Sequence, residues 1–182
     1  MGRQIALLVL VSCLTATVLA QSFEHSPFLQ ITGGVGFPAG AAGSSGFAFG
    51  PVVMAELGTP LAGSVLASAQ FSYYAPSIDD PDASASITGF AGVLRIPFSP
   101  DAATTGYLLG SLGTFEQNVT LKKTSLSTKW KLGFDVGFGF MFAPENWRSI
   151  YLDFGARYRR IYIDPDGWED IGIFGGIGFH LM

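Results

Sequence analysis

Residues 128–142 read T-K-W-K-L-G-F-D-V-G-F-G-F-M-F, with Trp130, Leu132, Phe134, Val136, Phe138, Phe140 and Phe142 on one parity and Lys129, Lys131, Gly133, Asp135, Gly137, Gly139 and Met141 on the other. Strict alternation is the mark of a β-strand with two unlike faces. Ordinary strands run to about 10 residues, whereas a tilted strand that crosses a bilayer needs about 9 to 11 for the hydrocarbon and can continue past it. The pattern predicts a membrane-crossing strand, greasy on the lipid side and small or charged on the other.

Seven further segments alternate in the same way. A first, over about 28–37, sets Leu29, Ile31, Val35 and Phe37 against Gln30, Thr32, Gly34 and Gly36. A second, 47–57, puts Phe47, Phe49, Val53 and Leu57 outward and Gly50, Met54 and Glu56 inward. A third, 61–74, opposes Val65, Ala67, Ala69, Phe71 and Tyr73 to Ser64, Ser68, Gln70 and Ser72. A fourth, 84–98, has Phe90, Leu94, Ile96 and Phe98 facing away from Gly89, Ala91, Val93 and Arg95. The fifth, 107–116, is rich in glycine and leaves its register open; the opening segment is the sixth. The seventh, 149–160, sets Ile150, Leu152, Phe154 and Tyr158 against Tyr151, Asp153, Gly155, Arg157 and Arg159. The eighth, 170–181, sets Ile171, Ile173, Ile177, Phe179 and Leu181 against Asp170, Gly172, Gly176, Gly178 and His180.

In hydrocarbon an open sheet edge leaves backbone amides without partners, so membrane-crossing strands must close on themselves. Eight strands form a barrel whose interior side chains can just fill. The predicted fold is therefore all-β: an eight-stranded antiparallel transmembrane up-and-down β-barrel. With both termini periplasmic, 58–60, 99–106 and 143–148 are expected as periplasmic turns, and 38–46, 75–83, 117–127 and 161–169 as outward loops of modest length. Amphipathic rings favour the headgroup level. On that ground Phe28, Phe98, Tyr107, Phe142, Trp147 and Phe179 are expected to form the inner girdle. Phe37, Phe47, Tyr73, Tyr74, Trp130, Tyr158 and Tyr162 are expected to form the outer one.

Composition fits a chain that meets lipid. Only 13% of its residues are charged, against about 25% in a typical soluble domain. The one pooled apolar stretch is 5–20, which with basic Arg3 before it and small Val18 and Ala20 at its end reads as a signal peptide over 1–20. The barrel domain would then occupy 21–182. A competing reading takes 10–13, Leu-Val-Ser-Cys, as a lipobox with Cys13 the lipidated residue. Cleavage after Ala20 removes the single cysteine, which excludes disulfides and thiol chemistry. Loss of Arg3 takes the net charge from −4 to −5, which speaks against nucleic acid as a partner.

The signal and the eight alternating segments, carried most plainly by 130–142 and the terminal I-G-I-F-G-G-I-G-F-H-L-M, resemble the small outer-membrane β-barrel family that includes the OmpA membrane domain and OmpX. The resemblance implies residence in the bacterial outer membrane after Sec export. It also implies contact with outer-membrane lipid and lipopolysaccharide, and insertion by the barrel-assembly machinery. Such barrels usually end in an aromatic residue; this chain ends in Met182. No periplasmic domain is expected after the eighth strand.

The inward parity gathers Glu56, Arg95, Glu116, Lys129, Lys131, Asp135, Asp153, Arg157, Arg159 and Asp170. Charges in a narrow interior persist only when paired and hydrogen-bonded, so they are expected to form an ion-pair network. A gated ion path would need a continuous wet channel. A lipid A-modifying enzyme would need a histidine beside a serine and a carboxylate at the outer leaflet. His25 and His180 both fall at the other end, so no catalytic residue is assigned. Asp79, Asp80 and Asp82, and Asp164, Asp166 and Glu169, lack a calcium-loop spacing, so no metal or cofactor is assigned either. Lys122 and Lys123 offer a weak pair for lipopolysaccharide phosphates. A soluble lipocalin-like binding barrel would carry the same strand count with its apolar face inward.

Overall fold

The computed structural model describes residues 26–44, 46–61, 65–99, 103–122, 124–143, 149–163 and 167–181. The signal segment, Trp147, Lys123, Asp164 and Asp166 lie outside the described residues. Eight long strands follow in chain order: β1 (Phe28–Ala39), β2 (Gly50–Pro60), β3 (Leu66–Tyr74), β4 (Ala83–Pro97), β5 (Thr104–Leu121), β6 (Lys131–Phe142), β7 (Ile150–Ile161) and β8 (Trp168–His180). Each pairs antiparallel with its sequence neighbours. The ring closes by β1 on β8, from Phe28 opposite His180 to Ala39 opposite Glu169. No sheet edge faces the surroundings along the closed part, as hydrocarbon requires.

Side-chain parity turns this ring into an inverted globule. Ile31, Val53, Leu57, Phe90, Leu94, Leu112, Phe138, Phe154 and Ile173 are all exposed on the outside. Gln30, Thr32, Glu56, Gln70, Ser72, Arg95, Asp135, Asp153, Arg157, Arg159 and Asp170 are buried inside. A lipocalin-like barrel would show the opposite arrangement.

Several boundaries differ from the sequence expectation for local reasons. β2 starts at Gly50, because Phe47–Ala48 leaves the barrel wall to pair with Ser77–Ile78 in a separate two-stranded ladder. A five-residue helix, α1 (Gly40–Ser44), occupies what reads as plain loop. β5 is far longer than 107–116, and its register is fixed by Tyr107, Leu109, Ser111 and Phe115, which are buried inside. Most of the expected loop 117–127 is strand instead: Asn118–Leu121 pairs antiparallel with Thr124–Ser127 as a hairpin.

That hairpin and the start of β4 form a three-stranded extension whose faces are reversed. Ala83, Ala85, Ile87, Val119, Leu121 and Leu126 share the parity that faces the lumen below, whereas Ser84, Ser86, Asn118, Thr120, Ser125 and Ser127 share the outer parity. The outer polar groups bond to one another, Thr120 Oγ1 to Ser125 Oγ at 3.0 Å and Ser127 Oγ to Glu116 Oε1 at 2.6 Å. A polar outer face suits water and an apolar outer face suits lipid, so the sheet passes from one to the other just beyond Phe90 and Trp130. Those two rings meet at a tilt with centroids 5.7 Å apart, and Phe90 meets Phe71 at 5.2 Å, which makes an aromatic band at the crossing.

Candidate functional site: the barrel interior

Both ends of the lumen are closed by aromatic residues that parity turns inward. At the end nearest the termini, Phe28 meets Tyr151 edge-on at 6.4 Å, and the His180 ring lies 5.4 Å from Tyr151. At the loop end, Trp168 packs between Phe47 and Tyr74 at 5.0 and 6.0 Å, above buried Ile87 and Ile161 and beside Ala42 of α1. Four assignments to the girdles are thereby corrected. Phe28, Tyr74 and Tyr107 are fully buried in the lumen, where Tyr74 donates to Gly36 O at 3.1 Å and Tyr107 to Asp153 Oδ1 at 2.6 Å. Phe47 belongs to the cap. Phe37, Tyr73, Phe98, Trp130, Phe142 and Tyr162 are exposed outward, and Tyr158 and Phe179 are half-buried.

The inward rings fit because glycines face them. A Cβ on Gly58, Gly89, Gly139, Gly155 or Gly178 would lie closer than 3.0 Å to Phe28, Phe115, Tyr107, Phe174 or Tyr151 respectively. Phe115 is flanked on both sides, by Gly89 of β4 and Gly133 of β6. The glycines of the inner face are thus the floor on which large side chains lie.

Between the caps the charged groups form two clusters. In the half nearer the termini, Arg95 Nη2 donates to both Glu56 oxygens at 2.8 Å, and Glu56 also accepts from Ser68 Oγ at 2.9 Å and Gln70 Nε2 at 2.5 Å. Arg95 Nη1 reaches Gln30 Oε1 at 2.6 Å, which also accepts from the Tyr151 hydroxyl at 2.9 Å. Asp153 stands 3.8 Å from Arg95 Nη2 and accepts from Tyr107 and from Gln30 Nε2. In the loop-side half, Asp135 accepts from Arg159 Nε at 3.0 Å, Arg157 Nη1 at 3.3 Å and Ser111 Oγ at 2.8 Å. Asp170 accepts from Trp168 Nε1 at 2.9 Å and lies 3.9 Å from Arg159.

Gln70 joins the halves, giving its amide hydrogen to Glu56 and taking one from Arg157 Nη1 at 2.9 Å. The guanidiniums also lie over rings: Arg95 over Tyr107 at 5.3 Å, Arg157 over Phe174 at 5.0 Å and Arg159 over Phe115 at 5.4 Å. The arrangement brings together Glu56, Arg95, Asp135, Asp153, Arg157, Arg159 and Asp170. It does not include Glu116, which is on the outer parity of β5 and accepts from Ser127, nor the exposed Lys129; Lys131 stands on the inward parity at the loop-end rim, opposite Phe115. The sequence expectation fails at Glu116 because the glycine-rich fifth segment carries no clear register.

Chemically, most of the cluster's donors are aimed at its own acceptors, while Arg95 Nε, Arg159 Nη1 and Asp170 Oδ1 are buried without a hydrogen-bond partner among the described residues. Ser68 and Ser111 each donate to a carboxylate, and His180 sits at the terminus end against Tyr151, away from both. Parity missed the tyrosines and Gln30 as partners, although Gln30 and Tyr151 stood on the inward parity of their strands.

A model of the outer membrane protein beta-barrel domain matches residues 6–181. Among solved structures, Neisserial surface protein A is similar over 85% of this chain and 97% of its own, with a TM-score of 0.73 and 15% identity. Ail, the attachment invasion locus protein of Yersinia pestis, gives a TM-score of 0.58 and 13% identity over 87% of this chain and all of its own. The N-terminal β-barrel domain of Pseudomonas aeruginosa OprF gives 0.50 and 12% over 87% of this chain and all of its own. No curated protein sequence matches the chain. At these identities the likeness is one of fold.

Proposed function

Because the chain belongs to the outer membrane protein beta-barrel domain family, we propose that it is an integral barrel of a Gram-negative outer membrane whose lumen is plugged by its ion-pair network, with a structural or surface-interaction role in the envelope. The observation that carries the plugged reading is the unbroken chain of side-chain contacts from Tyr151 through Gln30, Arg95, Glu56, Gln70, Arg157 and Asp135 to Arg159. Hydrogen bonds that join opposite walls leave no path for a hydrated ion in a barrel of eight strands. The reading extends to Sec export with a signal cut after Ala20, insertion by the assembly machinery, and a water-exposed extension on the cell surface with both termini in the periplasm.

The described loop-end residues include five acids, Asp79, Asp80, Asp82, Glu116 and Glu169, and four bases, Lys122, Lys129, Lys131 and Arg160, of which Arg160 is bound to Glu169 at 3.0 Å. One solved structure of Ail is a complex with the heparin analogue sucrose octasulfate. The acidic excess here disfavours a polyanionic partner of that kind and favours neutral or basic surfaces.

Outer-membrane fractions should yield a protein whose unboiled form migrates differently from its boiled form on a denaturing gel, because a closed barrel resists detergent. Recovery as a soluble periplasmic protein without that shift would overturn the membrane reading. Purified protein in planar bilayers should give no discrete conductance steps; regular unitary steps would replace the plug with a pore. Cells without the protein should change in permeability, envelope-stress sensitivity or adhesion, and no change in any of them would count against the proposed role.

A further inference from the structure

The outer wall carries a trench where β4, β5 and β6 meet. Gly92 and Gly110 point outward on these strands, and a Cβ on either would meet nothing within 4 Å. The pairing register sets them on a diagonal: Gly92 lies opposite Leu112, and Gly110 opposite Leu94 and Val136. The resulting groove has a volume of about 520 Å³ and is walled by Leu94, Ile96, Leu108, Leu112, Phe134 and Val136. Its two polar neighbours, Ser111 and Asp135, have their side chains buried on the lumen side, bonded to each other at 2.8 Å. No polar side chain of the lining therefore faces an occupant.

Depth identifies what fills it. On β4 the trench lies between Phe90, in the aromatic band at the loop end, and Phe98, the exposed ring at the terminus end. Aromatic rings mark the interfaces of a barrel and aliphatic side chains its hydrocarbon band, so the trench is at acyl-chain depth. Size separates a lipid from a protein partner. Three strands about 4.8 Å apart and five residues rising about 3.3 Å each give a footprint roughly 10 Å across and 13 Å long. A stable dimer buries about 800 Å² on each partner, roughly six times as much.

We propose that the Gly92–Gly110 trench is a seat for a single lipid acyl chain, held by shape against β4–β6 more persistently than lipid on the rest of the wall. The inference rests on the membrane reading above. A hydrocarbon chain in the trench contacts both walls and the glycine floor at once, which raises its dispersion contacts over those available on a convex wall. A void at that place would forfeit them.

The test reconstitutes the whole protein in phosphatidylcholine vesicles containing a small fraction of phosphatidylcholine with a photoactivatable diazirine at mid-chain. Illumination is followed by peptide mass spectrometry. Label on 92–96 and 108–112 is expected to exceed, several-fold, label on the equally exposed Ile31, Val53 and Leu57 of β1 and β2. In Gly92→Leu/Gly110→Leu, whose new side chains enter open space, the excess should vanish while the heat-modifiable gel shift remains. Equal labelling of the two faces overturns the seat and leaves the membrane reading standing. Absence of label on either face overturns both. Cross-linking of two copies through the trench assigns it to a second chain and overturns the lipid. Should the double variant fail to fold, Gly110→Ala and the unaltered protein's own label distribution decide the matter.

Discussion

Arg95→Ala is expected to cost about 3–5 kcal/mol of unfolding free energy, the range for removing one partner of a buried ion pair. The guanidinium it deletes donates from Nη2 to both Glu56 oxygens and from Nη1 to Gln30, and it faces Asp153, so two carboxylates and an amide lose their cation at once. Asp153 keeps Tyr107 and Gln30, and Glu56 keeps Ser68 and Gln70, which places the loss within that range instead of above it. Urea titration of protein refolded in vesicles, followed by gel shift, measures it. Adding Glu56→Gln should recover part of the loss, because an uncompensated buried charge is what the single variant leaves behind. A cost under about 1 kcal/mol would mean that water enters the lumen and solvates the carboxylates, which would revive the conducting barrel.

The same residues show why the fold was more legible than its interior. Alternation gives every strand its two faces, and hydrocarbon then dictates closure, because backbone groups without partners are costly there. Parity alone places Arg95, Asp135, Asp153, Arg157, Arg159 and Asp170 on the small-residue face, and their strands bury them. It fails at Glu116, where glycines on both parities of β5 erase the contrast. Phe28, Tyr74 and Tyr107 were assigned by position near strand ends, a rule about rings at interfaces. Phe28 shares a parity with Gln30 and Thr32, and Tyr74 with Gln70 and Ser72, so the pattern already held the opposing signal. Two other features were beyond a one-dimensional reading. The reversed faces of 83–87 and 117–126 become meaningful only once pairing sets Ala85 beside Val119 and Val119 beside Leu126. The fit of each inward ring to a glycine depends on the stagger between strands.

That fit makes the glycines coupled partners of the rings, and Gly89 with Phe115 is the pair where this can be isolated. The three nearest neighbours of a Cβ at Gly89 are two ring carbons of Phe115 and the Ser72 hydroxyl, with no backbone atom among them. Gly89→Val should therefore destabilise by about 1–3 kcal/mol through overpacking alone. Phe115→Ala should cost about 3–5 kcal/mol, since it empties a fully buried site. In the double variant the valine enters the space the ring has left, so the combined loss should fall short of the sum by about 1–3 kcal/mol. Gly92→Val is the control: it is a glycine of the same strand on the outer parity with nothing near its Cβ, and it should cost nothing or stabilise, since glycine weakens a strand interior. Strict additivity of Gly89→Val and Phe115→Ala in urea unfolding would show that the inner glycines serve strand geometry and not the packing of rings. Non-additivity with a silent Gly92 control would tie glycine content to the plug: a barrel this narrow can be filled by large side chains only if the wall behind them is bare.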